Sequence, residues 1–595
     1  MAKDNLDKYL RRVQAAEEHR RPYETMWARF YERWRSHADT LIGPETGKAA
    51  DRSNIFVPET YAQVETVLPR LVETLFAARP YVAVRGRTAD DLAKAKKNEI
   101  LLDWQMNERM SFQNLFHRGL KGACIYGTAV AYTGWKLEQR SVVRKELVPV
   151  TEADAEGNEV PILDEYGLPI TEYRPVRSNE IIYDDPEVKF IDLGLFFIDP
   201  AAEDVEDARY CGHTEFLTKA QLKEKETLGL YKIDWKKLAK TSNEVNRFRN
   251  ERLSEVGLPT VADIDDVDGF YEVIHYWEDD RHAIIINRAL LAADTENPFW
   301  HKRKPYRKGV YSLVPGEFYG LGIPEMLWDL QDELNTERNM RIDYRAFLLR
   351  RMFKVRRGAA ISRKQLKWRQ GGIIEVEDKD DVTEMGVGDS AGSSFTSEST
   401  IKRDMQDTTG GHDVVMGLST SGETATTTMT KDSNAAMRFK LIISSLENDL
   451  LVPIARQMLQ LNQQFLSGEK VLRVTQMGKD RFEVVSEEEI QGEFDLIAAG
   501  SSVEPMANKE AAKQRAVELY GILGNDPMIA QFPAKRRALL EVVLDVFDIK
   551  NKDEILPSDE ELGMMLAQQA MAAGTVPAGA GEPNRALREE AGLRG

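Results

Sequence analysis

The chain has 595 residues, with 98 Asp and Glu against 80 Lys and Arg, a formal charge of −18. A surface that grips nucleic acid along its whole length must neutralise phosphates and is basic, so this balance excludes that role and leaves only local or transient contact. With 42% apolar and 30% charged residues the chain is not globally disordered, and at roughly 150 residues per domain it has room for about three or four units.

Residues 3–38 place Leu6, Leu10, Val13, Trp27, Phe30, Tyr31 and Trp34 at three- and four-residue spacings, which predicts a helix kinked at Pro22. A Gly/Pro loop at 43–58 leads into a second helix carrying Val64, Val67, Leu68, Leu71, Leu75 and Phe76 and closed by the Arg79-Pro80 step. A third helix is expected over 90–119, running into a strand at 128–136. From about 141 to 290 the signals become short strands separated by turns, such as 270–276 and 282–287, an α+β region. Within it the acidic segment 151–169 reads as a solvated hairpin or insertion.

After Pro315 the run GEFYGLGIPE precedes WDLQDELNTERNMRIDYRAFLLRRMF. Pro324 suits a first helical turn, and from there to Phe353 the pattern predicts about 45 Å of helix. Its apolar positions are sparse, chiefly Leu330, Leu334, Ile342, Phe347 and Leu348, so packing between copies of itself is expected rather than burial in one core. Residues 350–369 then hold nine basic side chains and no acidic one: Arg350, Arg351, Lys354, Arg356, Arg357, Arg363, Lys364, Lys367 and Arg369. A short strand at 371–377, a Gly/Ser linker at 386–397 and a polar helix at 400–408 are expected next. Residues 409–430 are rich in Gly, Ser and Thr and predict an exposed loop. Residues 432–465 give the clearest helical period in the chain, interrupted by Pro453, which predicts a kink near Asp449 to Pro453. Strands at 470–499, a helix at 507–523 and a disordered tail from 572 to 595 complete the reading.

Chemistry is sparse. Gly43-Pro-Glu-Thr-Gly47-Lys48-Ala49 departs from a phosphate loop, with three residues between its glycines and Ala49 where a Ser or Thr would hold magnesium, and is read as a turn. Asp184, Asp185, Asp192 and Asp199 could pair carboxylates around metal ions. The Asp185-Pro186 and Asp199-Pro200 steps are turn signatures instead, and no His or Glu motif completes a site. Eight histidines show no metal-binding spacing, and Cys124 and Cys211 form no Cys-x-x-Cys pair and read as buried thiols. The expectation is therefore no catalytic residue, no cofactor and no metal. The first twelve residues lack the apolar core of a secretion signal, and the longest uncharged stretch in the first third, 122–135, is too short to span a membrane. The basic run admits three readings, namely contact with DNA phosphates, docking of an acidic partner, or pairing with a neighbouring subunit.

Five stretches, in their order, resemble the portal or head-to-tail connector proteins of tailed bacteriophages: PRLVETLFAARPYVAVRG at 69–86, LKGACIYGTAVAYTGW at 120–135, FYGLGIPEMLWDLQDELNTERNMRID at 318–343, ENDLLVPIARQMLQLNQQFL at 447–466 and FDLIAAGSSVEPMANKEAAKQRAVELYGIL at 494–523. The resemblance spans about residues 20–550. It implies an α+β portal fold with an α/β wing, a long helical stem, a small α/β clip and a helical crown, assembled as a ring, usually of twelve subunits. On this chain the wing would be 1–317 and 431–500, the stem helices 318–349 and 397–410, the clip 350–396 and the crown 501–570, with 571–595 a tail. The channel loop would be 411–430, and it contains His412, Asp413, Val414, Val415, Met416, Ser419, Thr420, Ser421 and Glu423. The loop carries no positive charge before Lys431, a departure that argues against a strong grip on DNA there. The resemblance further implies a non-enzymatic conduit for double-stranded DNA at one capsid vertex. Its partners would be the terminase large subunit, head-completion or tail adaptor proteins, and the major capsid and scaffolding proteins, with no membrane. The basic run would then serve motor or adaptor docking, or DNA as it enters. A tail adaptor without translocation, and a nuclease using Asp184, Asp185 and Asp199, are the rival readings.

Overall fold

The computed structural model describes residues 2–37, 53–88, 91–149, 151–153, 159–161, 169–236, 247–258, 270–349, 353–358, 391–410, 438–466, 470–476 and 479–499, with shorter pieces elsewhere. The expected turn at 43–49, most of the strand at 371–377, the loop at 411–430, most of the helix at 507–523 and the tail lie outside the described residues. The chain divides into two compact units, residues 1–472 with 484–502, and residues 473–483 with 503–595. Of the second, the structure describes the middle of a hairpin, Lys470–Gln476 with Lys479–Val485, and a few helical residues between 516 and 544.

The first unit mixes helices with antiparallel sheets, an α+β arrangement. Five strands, Phe196–Ile198, Cys211–Thr218, Phe270–Trp277, Arg281–Ile286 and Leu290–Glu296, form a meander in chain order. One face of this sheet, through Tyr276 and Phe197, packs on Tyr9 and Val13 of the first helix. A second sheet sets Tyr306–Val310 beside Thr128–Pro149, which pairs with Thr171–Ile191. The last two strands make one long hairpin, in register from Val130 opposite Ile191 to Pro149 opposite Thr171, with a bulge at Glu138/Gln139. This corrects the expectation of short strands and of a turn at Asp185-Pro186, which lies inside Thr171–Ile191 opposite Lys136 and Trp135. Thr171–Ile191 is the edge strand of its sheet, and an edge strand tolerates proline because the missing N–H can face away from the ladder.

The first helix, Ala2–Trp34, includes Pro22, across which the buried Arg20 and Glu24 pair at 2.7 Å. One helix expectation changes. The helix expected over 90–119 is two helices, Asp91–Trp104 and Phe112–Tyr126, separated by a π-turn at Gln105–Arg109 and by Ser111 at φ 48°. No glycine or proline marks that break. It is set by burial, since Gln105 and Met106 on one side and Phe112 and Phe116 on the other all turn inward.

The glycines of CIYGTAV and FYGLGIPE have a physical reason. Gly127 ends the helix Phe112–Tyr126 at φ 86°, and a Cβ there would lie 1.8 Å from the carbonyl oxygen of Gly320. A Cβ on Gly322 would lie 2.5 Å from the carbonyl of Ile125. Backbone meets backbone, and the contact is fastened by Gly320 N–H donating to Thr128 Oγ1 at 2.8 Å and Tyr311 N–H to the Gly127 carbonyl at 2.9 Å. This crossing fixes where the helix after Pro324 starts. Gly127→Ala and Gly322→Ala should each cost about 3 kcal/mol or more, combining a backbone clash with, at Gly127, left-handed strain. Gly122→Ala, with open space around its Cβ inside a helix, should be neutral or stabilising by up to about 1 kcal/mol. Urea unfolding of the three variants checks the contrast.

Candidate functional site

The long polar helix forms as Trp328–Leu349, preceded by a turn at Ile323–Met326 with Pro324 in its first position. Its polar side chains are not idle. Residues 53–60 run beside it in the opposite direction, and each rung of the contact is a hydrogen bond to an amide or carboxylate on one helix face. Asp343 accepts from Ser53 N–H at 2.6 Å. Asn339 accepts from Ile55 N–H at 2.8 Å and donates to the Ile55 carbonyl at 3.0 Å. Asn335 accepts from Val57 N–H at 2.9 Å. Gln331 donates to the Val57 carbonyl at 2.8 Å and to Asn335 at 3.1 Å, and accepts from the N–H and hydroxyl of Thr60 at 3.0 and 2.8 Å. All four hydrogen-bonding positions of that buried amide are used.

The geometry behind this ladder is a near match of two repeats. Four residues of α-helix rise about 6.0 Å, and two residues of extended chain about 6.7 Å, so rungs at 343, 339 and 335 meet residues 53, 55 and 57 with a drift of under about 1 Å per rung, and Gln331 closes the ladder on the first turn of the helix Glu59–Leu75. A second face of the helix packs on Ala391–Thr409. There the guanidinium groups of Arg338 and Arg341 both meet Glu398, and Arg341 and Arg345 lie 4.1 and 5.3 Å from the ring centre of Phe395. Burial alone would push Glu398 up, yet the two arginines outweigh it and hold its pKa below the ordinary glutamate range. Asp329, Glu333, Thr336 and Met340 remain exposed as one stripe. The helix Ala391–Thr409 begins inside the segment expected to be a Gly/Ser linker, because Ser394, Glu398, Ile401 and Met405 face the first stem helix and the core rather than solvent.

The expected disturbance at Pro453 takes a definite form. A helix at 438–446 passes through a π-turn at Glu447–Leu451 into the helix Val452–Phe465, with Pro453 at its start. A proline lacks the N–H of the regular ladder and crowds the carbonyl four residues back, and the wider turn accommodates both defects.

The acidic series is structural. Asp185, fully buried, accepts from Gln105 at 3.0 Å and from Arg109 at 3.1 Å and is paired with Lys470. Gln105 and Asn462 exchange two hydrogen bonds of 2.8 Å behind it, so the π-turn at Gln105–Arg109, the long hairpin and the helix Val452–Phe465 close on one carboxylate. Asp184 accepts from the Trp135 indole at 2.8 Å. Asp199, its pKa lowered by the hydrogen bond from Arg209, accepts from that residue through both oxygens. Asp192 pairs with Arg252 at 2.6 Å. Among the described residues no group of three or more His, Cys, Asp or Glu could hold a metal ion.

Of the nine basic residues at 350–369, the structure describes Lys354, Arg356 and Arg357, all exposed. Arg350, Arg351, Arg363, Lys364, Lys367 and Arg369 lie outside the described residues, as does the whole of His412 to Glu423. Lys354 lies on a short strand, Phe353–Val355, paired with Val382–Glu384. Arg356 is committed to its own chain, with its N–H on the Asp381 carbonyl at 3.1 Å and its guanidinium 2.7 Å from Asp381 and 3.4 Å from Asp378. Among the described residues no ion pair engages Lys354 or Arg357. Sequence reasoning missed Gln331, Asn335, Asn339 and Glu398, although amides recurring every four residues were there as a signal.

The family model for the phage SU10 portal protein matches residues 31–502, which takes in the helices Trp328–Leu349 and Ala391–Thr409, the strand pair between them and both sheets. The chain belongs to this portal family. No curated protein matches it. The portal family is a structural one, of oligomers at the portal vertex of the phage capsid, and this agrees with carboxylates spent on arginines and amides rather than on a reaction centre. No helix among the described residues is long and apolar enough to cross a membrane. In this portal protein the stem rests on the ladder, so Asn335→Leu or Gln331→Leu, which leave backbone groups of 57–60 without partners, should each lower stability by about 1–3 kcal/mol, read by urea denaturation. Asp185→Asn leaves Arg109 and Lys470 facing a neutral amide and should cost about 3 kcal/mol or more by the same measurement.

Proposed function

We propose that copies of this chain form a ring, of twelve subunits, at one capsid vertex, through which double-stranded DNA passes during packaging and ejection. The observation that carries this reading is the family match over 31–502 together with a stem helix that is polar on every side yet already braced on two of them. The exposed stripe of Asp329, Glu333, Thr336 and Met340 is the face left for a neighbouring copy. Residues 1–317 and 431–500 serve as the wing, 318–349 and 397–410 as the stem, 350–396 as the clip, 411–430 as the channel loop and 501–570 as the crown. The chain performs no covalent chemistry in this role; the terminase large subunit supplies hydrolysis. The ring assembles in the host cytoplasm with capsid and scaffolding proteins and later carries head-completion or tail adaptor proteins. A charge of −18 per subunit leaves phosphates few places to bind, so the duplex slides without sequence specificity.

The clip is the docking end, where the run from Arg350 to Arg369 meets motor or adaptor. Arg356 belongs to the clip's own architecture through Asp378 and Asp381, which leaves Lys354 and Arg357 as the described cations able to meet a partner.

Electron microscopy of the purified full-length protein should show closed rings with a bore that admits B-DNA; a population of monomers with no ring, alone or with scaffolding protein, refutes the reading. Reversing both Lys354 and Arg357 to Glu should leave ring formation intact and lower motor or adaptor binding at least about tenfold, with the loss diminishing as salt rises. Unchanged binding would remove the clip assignment while leaving the ring standing.

A further inference from the structure

Four of the eight histidines converge on one stack. His213 and His275 lie directly opposite on neighbouring strands, rings 4.8 Å apart and within 10° of parallel. His275 lies 6.0 Å from His282, His282 stacks on Trp277 at 3.8 Å, and Trp277 continues through Phe299 at 5.5 Å to His301 at 5.3 Å. The stack covers the face of the five-stranded sheet opposite the first helix, and its inner end is the seam with the three-stranded sheet. There His213 Nδ1 is 2.6 Å from the hydroxyl of the fully buried Tyr306, and its ring is 5.4 Å from Tyr132.

The charged neighbours are unbalanced. Glu215, on the same strand face as His213, lies 3.6 Å from His275. Lys189 from the long hairpin and Lys225 from the helix Lys219–Thr227 face the same cluster. Lys304 and Asp279 beside Cys211 pair with each other, and Arg303 and Arg307 flank His301. Tyr132, Tyr231, Tyr306 and Cys211 are the other titratable groups at the seam, and Glu187 beside Tyr132 is paired with Lys189 and Lys136. One carboxylate therefore faces the inner imidazoles. It compensates a single proton, and a second imidazolium about 5 Å from the first in a dry setting meets only repulsion.

We propose that the stack is an acid-released seam, at which protons on its buried imidazoles part the five-stranded sheet from the three-stranded one while the helical core stays closed. Burial acts in the direction this requires. It holds His213 well below the ordinary histidine range, His282 down to about 3 and His301 to about 4, with Arg307 and Arg303 adding to the last. Groups neutral when closed but titrating near 6.5 when released take up protons on opening, so the seam holds fully above about pH 6.5 and weakens as pH falls below it. Three such imidazoles make the open population grow by a factor that averages about 100-fold per pH unit between pH 7 and pH 5 and steepens toward about 1000-fold per unit at the acid end.

The two cysteines report on the two outcomes separately. Cys211 is buried at the seam, two residues from His213 on the same strand face, and Cys124 is buried in the helix Phe112–Tyr126 beside Glu65 and Lys121. Full-length protein is treated with a pyridyl disulfide, which reacts at acid pH, between pH 7 and pH 5, and labelled sites are read by mass spectrometry against a free-cysteine standard. Cys211 should label with log rate rising by about two per pH unit on average across that range while Cys124 stays protected, and His213→Gln or His282→Phe should each reduce that slope by about a third. His282→Phe keeps a ring stacked on Trp277, so it tests the proton rather than the packing. His117→Gln, at an exposed position away from the stack, should change nothing. Simultaneous labelling of both cysteines, or an unchanged slope in both stack variants, would overturn the seam.

Discussion

A helix whose polar groups face every direction must find a partner for each face, and the stem meets that constraint before any second copy arrives. Gln331, Asn335, Asn339 and Asp343 spend their hydrogen bonds on the backbone of residues 53–60, and Arg338 and Arg341 spend their charge on Glu398. Each amide left unmet would cost about 1–3 kcal/mol, so the ladder decides whether Trp328–Leu349 is an ordered element at all. It also decides direction, because the near match of repeats holds only while the chain at 53–57 stays extended and antiparallel to the helix.

The other connections anchor this braced stem to the sheets. At its start, Gly127, Gly320 and Gly322 let two backbones touch, a contact that admits no side chain and therefore little drift. Further out, Asp185 gathers Gln105 and Arg109 from one π-turn and Lys470 from a distant strand, and both π-turns, at Gln105–Arg109 and Glu447–Leu451, lie where a helix must change register to serve such a contact. A π-turn is a costly local arrangement, and its presence twice in one core is accounted for by what each places: Gln105 on Asn462 in one case, Pro453 in the other.

What the sequence disclosed followed from period and from punctuation. The stem helix, the helix around Leu450 and Met458, the second helix at Val64 to Leu75 and the alternation at 270–287 repeat regularly enough to be read. Proline misled at Pro186, because its effect depends on whether its missing N–H would have met a partner, and that is a tertiary fact. The break at Ser111 carries no composition signal, since it is made by burial on either side. The aspartates were visible as a cluster, but their arginine, lysine and tryptophan partners lie 10 to 286 residues away in sequence, so only the fold reveals that they are spoken for.

The same pairings give the subunit a character suited to assembly. Arg33 on Asp332, Arg338 and Arg341 on Glu398, and Arg356 on Asp378 and Asp381 all hold cations inside one chain. The stem thus presents a narrow, net acidic stripe, Asp329, Glu333, Thr336 and Met340, rather than a pool of unpaired side chains still to be ordered. Association is opposed by every side chain and loop that must be immobilised, and a stem already held by its own chain at 53–60 brings little of that cost into a contact with its neighbour. A head-to-tail contact joins different surfaces of successive copies and closes into a ring only if each subunit keeps one fixed geometry. The ladder and the glycine crossing supply that fixity within the single chain, so in the proposed ring closure would depend on the shape of the subunit more than on the strength of any one contact between subunits.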